Sequence, residues 1–528
     1  MAQTIEVVLG LLAAVAGLAW LSRRVTIPYP VLLVLAGLLL ALVPGLPHIH
    51  LKPELVFLCF LPPLLYPAAV FTPWREFRAN LRPILLLAIG LVLFTTVLVG
   101  FLVHYFIPGI PLAAGFVLGA IISPPDAIAA TAIAEKLRVP RRIVAILEGE
   151  SLVNDATALV ALHFAVAAVV TGTFSWATAA GEFLLVGLGG VVAGIAIGWF
   201  TAALQKRIDD PPIEITVSLL TPFAAYLTAE QLGLSGVLAV VTTGLIHGWR
   251  IPEIMTSRSR LQAGPVWQMI EFLLNGFIFL SIGLELPEVL KNLHGHTRGD
   301  LLVYAAFISG AVILIRIAWV FPATWLPRWL FKSIRERDPA PNWRNVAIVA
   351  WTGMRGVVSL AAALALPISA RNGAPFPGRD LILFLTFVVI LVTLVLQGLT
   401  LPAIIRWLQI EPDDSAAIEE REARLKANHA ALARLDELAE SENIAPDILH
   451  RLRVEYEDRI RQLEACEPGG DGKAHLFSSD YERFAHDTLR VERKIIIQLR
   501  NEGTINDEVL RRIQRDIDLA ETRLQRPG

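Results

Sequence analysis

The hydrophobic positions of this chain form long runs that are broken by short polar loops. A helix needs about 20 apolar residues to cross the hydrocarbon core of a bilayer, and such runs recur through the first 410 residues. Thirteen of them start near residues 5, 27, 54, 83, 111, 143, 182, 214, 234, 266, 300, 345 and 380. The pattern predicts an all-α membrane protein with about 13 transmembrane helices.

Composition supports this interpretation and adds a domain boundary. The chain of 528 residues is 55% hydrophobic and 18% charged, with a mean hydropathy of +0.58, outside the range of ordinary soluble domains. Residues 411–528 differ from the rest because they are dense in Glu, Arg, Asp and Lys. We expect a transmembrane domain over 1–410 and a cytoplasmic helical domain over 411–528. The net charge of −2 gives no indication of a nucleic-acid partner, so the expected partner is membrane lipid.

The loops predict an orientation in the membrane. When the loops are assigned alternately to the two sides, most Lys and Arg residues fall on one side. The other side has only Lys52, Lys291, Arg298, Arg371 and Arg379. Cytoplasmic loops carry the excess of Lys and Arg, which places the N-terminus outside and the charged C-terminal region in the cytoplasm. The expected location is the cell (inner) membrane, as a multi-pass protein.

The sixth run contains polar residues that need a reason, since ionisable groups inside a span are costly. Glu150, Ser151, Asn154 and Asp155 fall within roughly 140° of arc on a helix and so share one face. Asp155 lies about 18 Å along the axis from the start of the run, near the middle of the bilayer. This face is expected to look into the protein.

Two other runs are interrupted near their middles. Pro124 and Pro125 break the fifth run directly before Asp126, and Gly353 and Gly356 flank Arg355 in the twelfth. Broken helices at membrane depth are tolerated where protein or a water-filled cavity surrounds them. Runs five and twelve cross the membrane in opposite directions. This is the pattern of two inverted six-helix repeats joined by a linker helix, with two broken helices crossing at a transport site.

The side chains at this crossing suit a hard monovalent cation. Asp155, Ser151 and the backbone carbonyls near Ser123 offer oxygen ligands. A buried carboxylate near a second acid, Asp126, favours neutralisation, so a cation and a proton compete for Asp155. Because residue 154 is Asn, which does not titrate, we expect electroneutral exchange of Na+ or K+ for H+, with Asn154 orienting its neighbours. No cofactor is expected other than these transported ions.

The remaining polar residues leave alternatives open. Glu150 is expected to form a structural salt bridge with Arg355, because an unpaired buried charge is expensive. Arg316 is interpreted as a structural partner and His163 as a packed helix residue, while Glu271 with Asn275 fits either a gate or a solvated helix end. A cation channel and an intramembrane aspartyl enzyme are the competing functions. The enzyme lacks support because no Gly-Asp motif accompanies the two acids.

Four stretches of the sequence resemble the cation/proton antiporter family that includes bacterial NhaP-type proteins and animal sodium/proton exchangers. The matching stretches are FLPPLLYPAA (60–69), ISPPDAIAA (122–130), EGESLVNDA (148–156) and TGMRGVVSLA (352–361). The resemblance implies a homodimer, an elevator-like movement of a core bundle, and a cation held by Asp155, Ser151 and Asp126. It also implies the Glu150–Arg355 pair.

The chain departs from the family pattern at two places. Tyr66-Pro67 stands where many members have an acidic residue, so one ligand is missing. The Asp-Pro of the family's broken helix is replaced by Pro124-Pro125-Asp126-Ala127. Both departures leave the choice between Na+ and K+ open.

The charged C-terminal region contains a weak internal sequence repeat. Residues 437–460 align with 498–521, with matching apolar pairs Leu438/Leu499, Ile444/Ile505, Leu449/Leu510 and Leu452/Ile513. The alignment predicts two related helical hairpins joined by EPGGDGK (467–473). Such a region suits either an assembly element or a sensor of pH or a ligand.

Overall fold

The protein is described by a computed structural model over most of its length. The described residues are 2–22, 29–41, 56–172, 176–293, 297–369, 374–411, 413, 415–441, 446–465, 473–502, 504 and 507–524. Lys52, Arg371, Ile444, Ile505 and residues 467–472 of the linker therefore lie outside them. By contacts the chain divides into two units, Met1–Pro412 and Asp413–Gly528.

Within the described residues both units are helical, apart from one isolated β-bridge between Ser369 and Pro375. The helices of the first unit are α1 (Ala2–Ser22), α2 (Tyr29–Leu40), α3 (Leu61–Phe71), α4 (Trp74–Ala79), α5 (Leu81–Phe106), α6 (Leu112–Ile122), α7 (Ile128–Lys136), α8 (Arg141–Thr171), α9 (Trp176–Gln205), α10 (Pro211–Gln231), α11 (Gly236–Ile254), α12 (Ser257–Asn292), α13 (Arg298–Leu330), α14 (Lys332–Arg337), α15 (Trp343–Trp351), α16 (Val357–Leu364) and α17 (Arg379–Trp407). A π-helical turn, Val56–Phe60, leads into α3.

Each of the thirteen predicted runs coincides with one of these helices or with a broken pair of them, so the predicted all-α membrane fold is confirmed. Seven described helical stretches are long and apolar enough to cross a membrane without interruption. They are Leu81–Phe106, Arg141–Thr171, Gly181–Gln205, Pro211–Gln231, Ser257–Leu284, Arg298–Leu330 and Arg379–Trp407. The protein is therefore a multi-pass membrane protein.

The two predicted interruptions are both present. The fifth run is divided into α6 and α7 by residues 123–127, and the twelfth into α15 and α16 by residues 352–356. Each broken helix is the fifth member of a set of six, and α9 separates the two sets. The broken helices therefore run in opposite directions, as two inverted repeats require.

The membrane unit packs around two hydrophobic clusters. The larger one surrounds the broken helices and includes buried residues such as Leu118, Val312 and Phe387. The smaller one joins α3, α10 and α11 and includes Tyr66 and Val240. The candidate site described below lies where α3 and α12 approach the broken helices.

The second unit consists of two helical hairpins. Ser415–Ser441 (α18) packs against Pro446–Ala465 (α19), and Lys473–Asn501 (α20) packs against Asp507–Leu524 (α21). Leu510 is buried between α20 and α21, and Ile513 packs beside it. Both apolar residues belong to the internal repeat found in the sequence.

Backbone contact between α2 and α12 depends on two glycines. A Cβ atom at Gly37 would overlap the carbonyl oxygen of Leu280, and one at Gly283 would overlap that of Val34. Small residues allow membrane helices to approach this closely. The sequence therefore requires glycine at this crossing for packing reasons.

We expect Gly37→Ala to lower the thermal stability of the purified protein, with overpacking costing about 1–3 kcal/mol. Gly310→Ala in α13 is the matched control, because no atom lies within 4 Å of a Cβ at that position. Unfolding of both variants in detergent, followed by tryptophan fluorescence, measures the effect. Equal midpoints for the two variants would contradict the close crossing.

Candidate ion site

The two helix breaks meet inside the protein. The backbone N–H of Asp126 donates to the carbonyl oxygen of Met354 at 2.7 Å, which joins one break directly to the other. A Cβ atom at Gly356 would overlap the carboxylate of Asp126. Gly356 is therefore needed for the second break to approach the acid of the first.

Two buried arginines satisfy the carbonyl ends of the first half-helices. Arg355 Nε donates to Ile122 O, the last residue of α6, at 3.0 Å, and another guanidinium nitrogen donates to Gly353 O. Arg316 Nε donates to Val349 O, in the last turn of α15, at 3.1 Å. Cations favour the C-terminal ends of helices because the helix dipole is negative there. Each break is thus stabilised by an arginine from another segment.

The buried counter-ion of Glu150 is Arg316. Two guanidinium nitrogens of Arg316 donate to the two carboxylate oxygens of Glu150 at 2.6 and 2.8 Å, and the side chains are only 0% and 2% exposed. The Glu150–Arg355 salt bridge expected from the sequence is therefore wrong. The expectation fails because the guanidinium of Arg355 donates to backbone carbonyls. The guanidinium of Arg316 instead donates two parallel hydrogen bonds to the carboxylate of Glu150.

The polar face of α8 holds the first break in place. Asn154 Nδ2 donates to Pro125 O at 2.7 Å, and Ser151 Oγ accepts from Ala127 N at 3.4 Å. The carboxylate of Asp126 accepts from Ile128 N at 2.9 Å, at the start of α7. A carboxylate at this position satisfies an N–H that the helix leaves unpaired. These contacts fix the backbone of residues 125–128 against α8.

A cavity of about 490 Å³ lies beside the crossing. Five carboxyl groups line it, and no Lys, Arg or His is among its described lining residues. The acids are Asp126, Glu135, Glu148, Asp155 and Glu271. Asp126 and Asp155 are near enough to interact electrostatically. A concave, acidic site of this kind attracts cations and repels anions.

The structure brings some of the predicted site residues together and leaves others apart. Asp155, Asp126 and Ser151 all line the cavity. Ser123 is buried outside the described lining, and its hydroxyl donates back to Ala120 O at 2.9 Å. Asn154 lies behind the break, where its side-chain contact is with Pro125. Asn154 is thus placed to position the backbone.

Of the other polar residues in the spans, Glu271 lines the cavity, whereas His163 and Asn275 are not among its described lining residues. His163 is exposed on α8 and its ring contacts Phe164, so it is remote from the lining. Glu271 lines the cavity. Asn275, one turn further along α12, is buried, and its Oδ1 has no hydrogen-bond partner among the described residues.

Sequence reasoning missed two acids of the cavity, Glu135 and Glu148. Glu148, Ser151 and Asp155 are spaced i, i+3 and i+7, which puts them on one helical face. That spacing could have identified Glu148. Glu135 lies near the end of α7, and its place depends on how the half-helix folds back toward α8.

Tyr66 does not replace the missing acid as a cavity residue. Its hydroxyl lies 2.5 Å from His247 Nδ1, and His247 Nε2 lies 2.8 Å from the hydroxyl of Thr201. The lining that α3 provides comes from apolar residues such as Leu61 and Leu65. This helix therefore contributes a hydrophobic wall and no ligand carboxylate.

A carboxylate-lined cavity at the crossing of two inversely oriented broken helices defines a secondary transporter. Comparison with known proteins gives the family: the transmembrane sodium/hydrogen exchanger profile matches residues 10–407. The chain belongs to the sodium/hydrogen exchanger family. Its relatives are antiporters, so it is a cation/proton antiporter, and the channel and enzyme alternatives are set aside.

Individual relatives agree with this assignment. An uncharacterised Na+/H+ exchanger of Mycobacterium tuberculosis is 39% identical over 99% of this chain and 96% of its own length. A sodium, potassium, lithium and rubidium/H+ antiporter of Bacillus pumilus is 38% identical over 75% of this chain and 60% of its own. The solved sodium/proton antiporter MjNhaP1 from Methanocaldococcus jannaschii shares the fold, with a TM-score of 0.61 and 19% identity, over 77% of this chain and 98% of that one.

The corrected ion pair is tested by two double-mutant cycles. We expect Glu150→Gln and Arg316→Gln to be coupled by about 1–3 kcal/mol in unfolding free energy, because each leaves the other charge buried and unpaired. Glu150→Gln with Arg355→Gln should show weaker coupling. Thermal unfolding of the single and double variants in detergent measures both terms. Stronger coupling to Arg355 would restore the pairing expected from sequence.

Proposed function

We propose that Asp155 is the group for which a monovalent cation and a proton compete in turn. Asp126 and Ser151 are the co-ligands, together with backbone carbonyls of residues 123–127, and Asn154 positions that backbone. The observation that carries this proposal is that Asp155, Asp126 and Ser151 share one acidic cavity at the crossing of the breaks. A carrier can then reorient with Asp155 neutralised by either ion, while the bare carboxylate is costly to move past an apolar wall.

Glu150 is unsuited to this role although it lies on the same helix. Its two oxygens already accept from Arg316 in a buried bidentate pair. A carboxylate neutralised by a fixed guanidinium has little remaining attraction for a cation. The transported ion is therefore assigned to the acids without a basic partner in the cavity lining.

We propose that the antiporter accepts both Na+ and K+. The apolar wall supplied by α3 removes a ligand that many family members have, so fewer fixed oxygens enforce the size of the ion. The Bacillus pumilus relative, which is named for transport of sodium, potassium, lithium and rubidium, supports broad selectivity. Exchange of one cation for one proton follows from the neutral Asn154 beside Asp155, so transport is electroneutral.

We also propose an orientation and an assembly. The Lys and Arg residues of the loops support a cytoplasmic C-terminal unit, an outward N-terminus and a location in the cell (inner) membrane. The cavity reaches Glu135 at the end of α7, beside Lys136 on the positive side, so it opens to the cytoplasm. A homodimer is proposed on the resemblance to the family, with membrane lipid as the surrounding partner.

Asp155→Asn is expected to abolish cation-driven dissipation of a pH gradient in proteoliposomes, down to the level of empty vesicles. Asp126→Asn should weaken apparent cation affinity, since it removes a co-ligand. His163→Ala is the control on the same helix, because His163 lies outside the cavity. Both aspartate variants remove a charge from the interior, so folding should be retained. Full exchange by Asp155→Asn would refute the proposed site.

The same vesicles test ion choice and stoichiometry. Na+ and K+ should each dissipate the pH gradient, with half-saturating concentrations within about tenfold of one another, a difference of about 1.4 kcal/mol in binding. An imposed membrane potential should leave the rate unchanged, because one positive charge moves each way. A rate that follows the potential would contradict electroneutral exchange, and inactivity with K+ would contradict broad selectivity.

A further inference from the structure

A cluster of arginines lies at the ends of the core helices, separate from the ion cavity. Asp338, which follows α14, accepts from Arg82, Arg142 and Arg328 at 2.6, 2.8 and 2.7 Å. Among the described residues, these three guanidinium groups share one carboxylate, which gives the cluster a net charge of two positive units. Neighbouring Glu76 is 4.0 Å from Arg141, which is a separate ion pair.

The cluster retains donors for a further anion. The Nε–H of Arg82 is buried and has no hydrogen-bond partner among the described residues. Arg82 and Arg142 lie in the first turns of α5 and α8, and Asn345 lies in the first turn of α15 nearby. The positive dipole ends of three helices therefore point toward this region. Both the side chains and the helix termini favour a negatively charged group.

A small cavity of about 80 Å³ adjoins the arginines. Arg82, Arg142 and Arg328 line one part of it, while Leu86, Ile146 and Val320 belong to its apolar part. None of its lining residues lines the ion cavity. The site thus combines a cationic region with an aliphatic slot, which fits an amphipathic anion better than a free ion.

Exposed aromatic residues place this cluster at the level of lipid headgroups. Trp329, Phe331 and Trp343 are 75%, 57% and 52% exposed, and they flank Arg328 and the start of α15. Tryptophan is enriched at the membrane–water interface, where its ring lies among the headgroups. Basic pockets between helices at this depth are suited to anionic headgroups.

We propose that Arg82, Arg142 and Arg328 form a binding site for the phosphate group of an anionic phospholipid, and that the first methylene groups of its acyl chain enter the slot beside Leu86 and Val320. The bound phosphate accepts hydrogen bonds from the arginines and compensates the positive charge that Asp338 does not neutralise. It joins the ends of α5, α8, α13 and α15, which also carry or support the ion site. Lipid occupancy is therefore expected to stabilise the core.

The test uses the purified full-length protein in a neutral detergent, with its thermal midpoint measured against added phosphatidylglycerol, phosphatidylcholine or inorganic phosphate. Phosphatidylglycerol should raise the midpoint saturably, and phosphatidylcholine should not. Stabilisation by inorganic phosphate alone would support the phosphate site and assign its source to the free ion. No saturable effect of either anion would overturn the proposal.

Three substitutions separate an anion site from a purely structural ion-pair network. Arg142→Gln should weaken the apparent affinity for phosphatidylglycerol by about fivefold or more, the effect of removing one basic residue near a headgroup. Asp338→Asn should strengthen it, because the competing carboxylate is lost. Arg335→Gln removes an exposed charge close by and should change nothing. If Asp338→Asn instead weakens lipid binding, or all three variants behave alike, the arginines serve only to hold Asp338.

Discussion

The constraint on which this structure depends is that backbone groups released by two helix breaks cannot be left unpaired in a low-dielectric interior. Each break is repaired by a partner from another segment. Arg355 binds the carbonyl end of α6, Arg316 binds that of α15, and Asn154 binds Pro125 O. The hydrogen bond from Asp126 N to Met354 O then ties the breaks together. The polar residues at membrane depth are therefore required by the backbone whether or not an ion is bound, and the candidate ion site is built on that crossing.

The hydrogen bonds that satisfy the backbone at the two breaks also determine which charged side chains are left to face the cavity. Arg316 neutralises Glu150 while it donates to Val349 O, so this buried guanidinium is used away from the cavity. Arg355 is likewise directed at carbonyls. With both arginines absent from the cavity lining, Asp126 and Asp155 face it without a fixed counter-ion. This division explains how a site can contain two buried arginines in its surroundings and still attract a cation.

The sequence predicts features that depend on a single segment, and it fails where two distant segments decide. Span length follows from bilayer thickness, and Pro124-Pro125 and the glycines around Arg355 locate the breaks because they act on their own backbone. The partner of Glu150 was predicted incorrectly since Arg316 and Arg355 are both buried arginines, and only their three-dimensional directions separate them. The backbone carbonyls near Ser123 stay a prediction, while the hydroxyl of Ser123 is used locally and donates to a carbonyl of its own helix. The contact of Tyr66 with His247 could likewise not be predicted from the sequence, because the two residues are 181 positions apart.

The membrane unit separates its clustered charges by sign, and α8 joins the two regions. Arg142 at its start belongs to the arginine cluster, while Glu148, Ser151 and Asp155 further along line the acidic cavity. This separation keeps the arginines from neutralising the carboxylates to which we assign the cation. It also leaves excess positive charge at the helix ends, where water and lipid headgroups can compensate it at low energetic cost. The excess negative charge lies within the membrane, where the compensating species must be a cation or a proton. In the proposed mechanism, a buried negative site that needs such a partner in order to move couples the two ions.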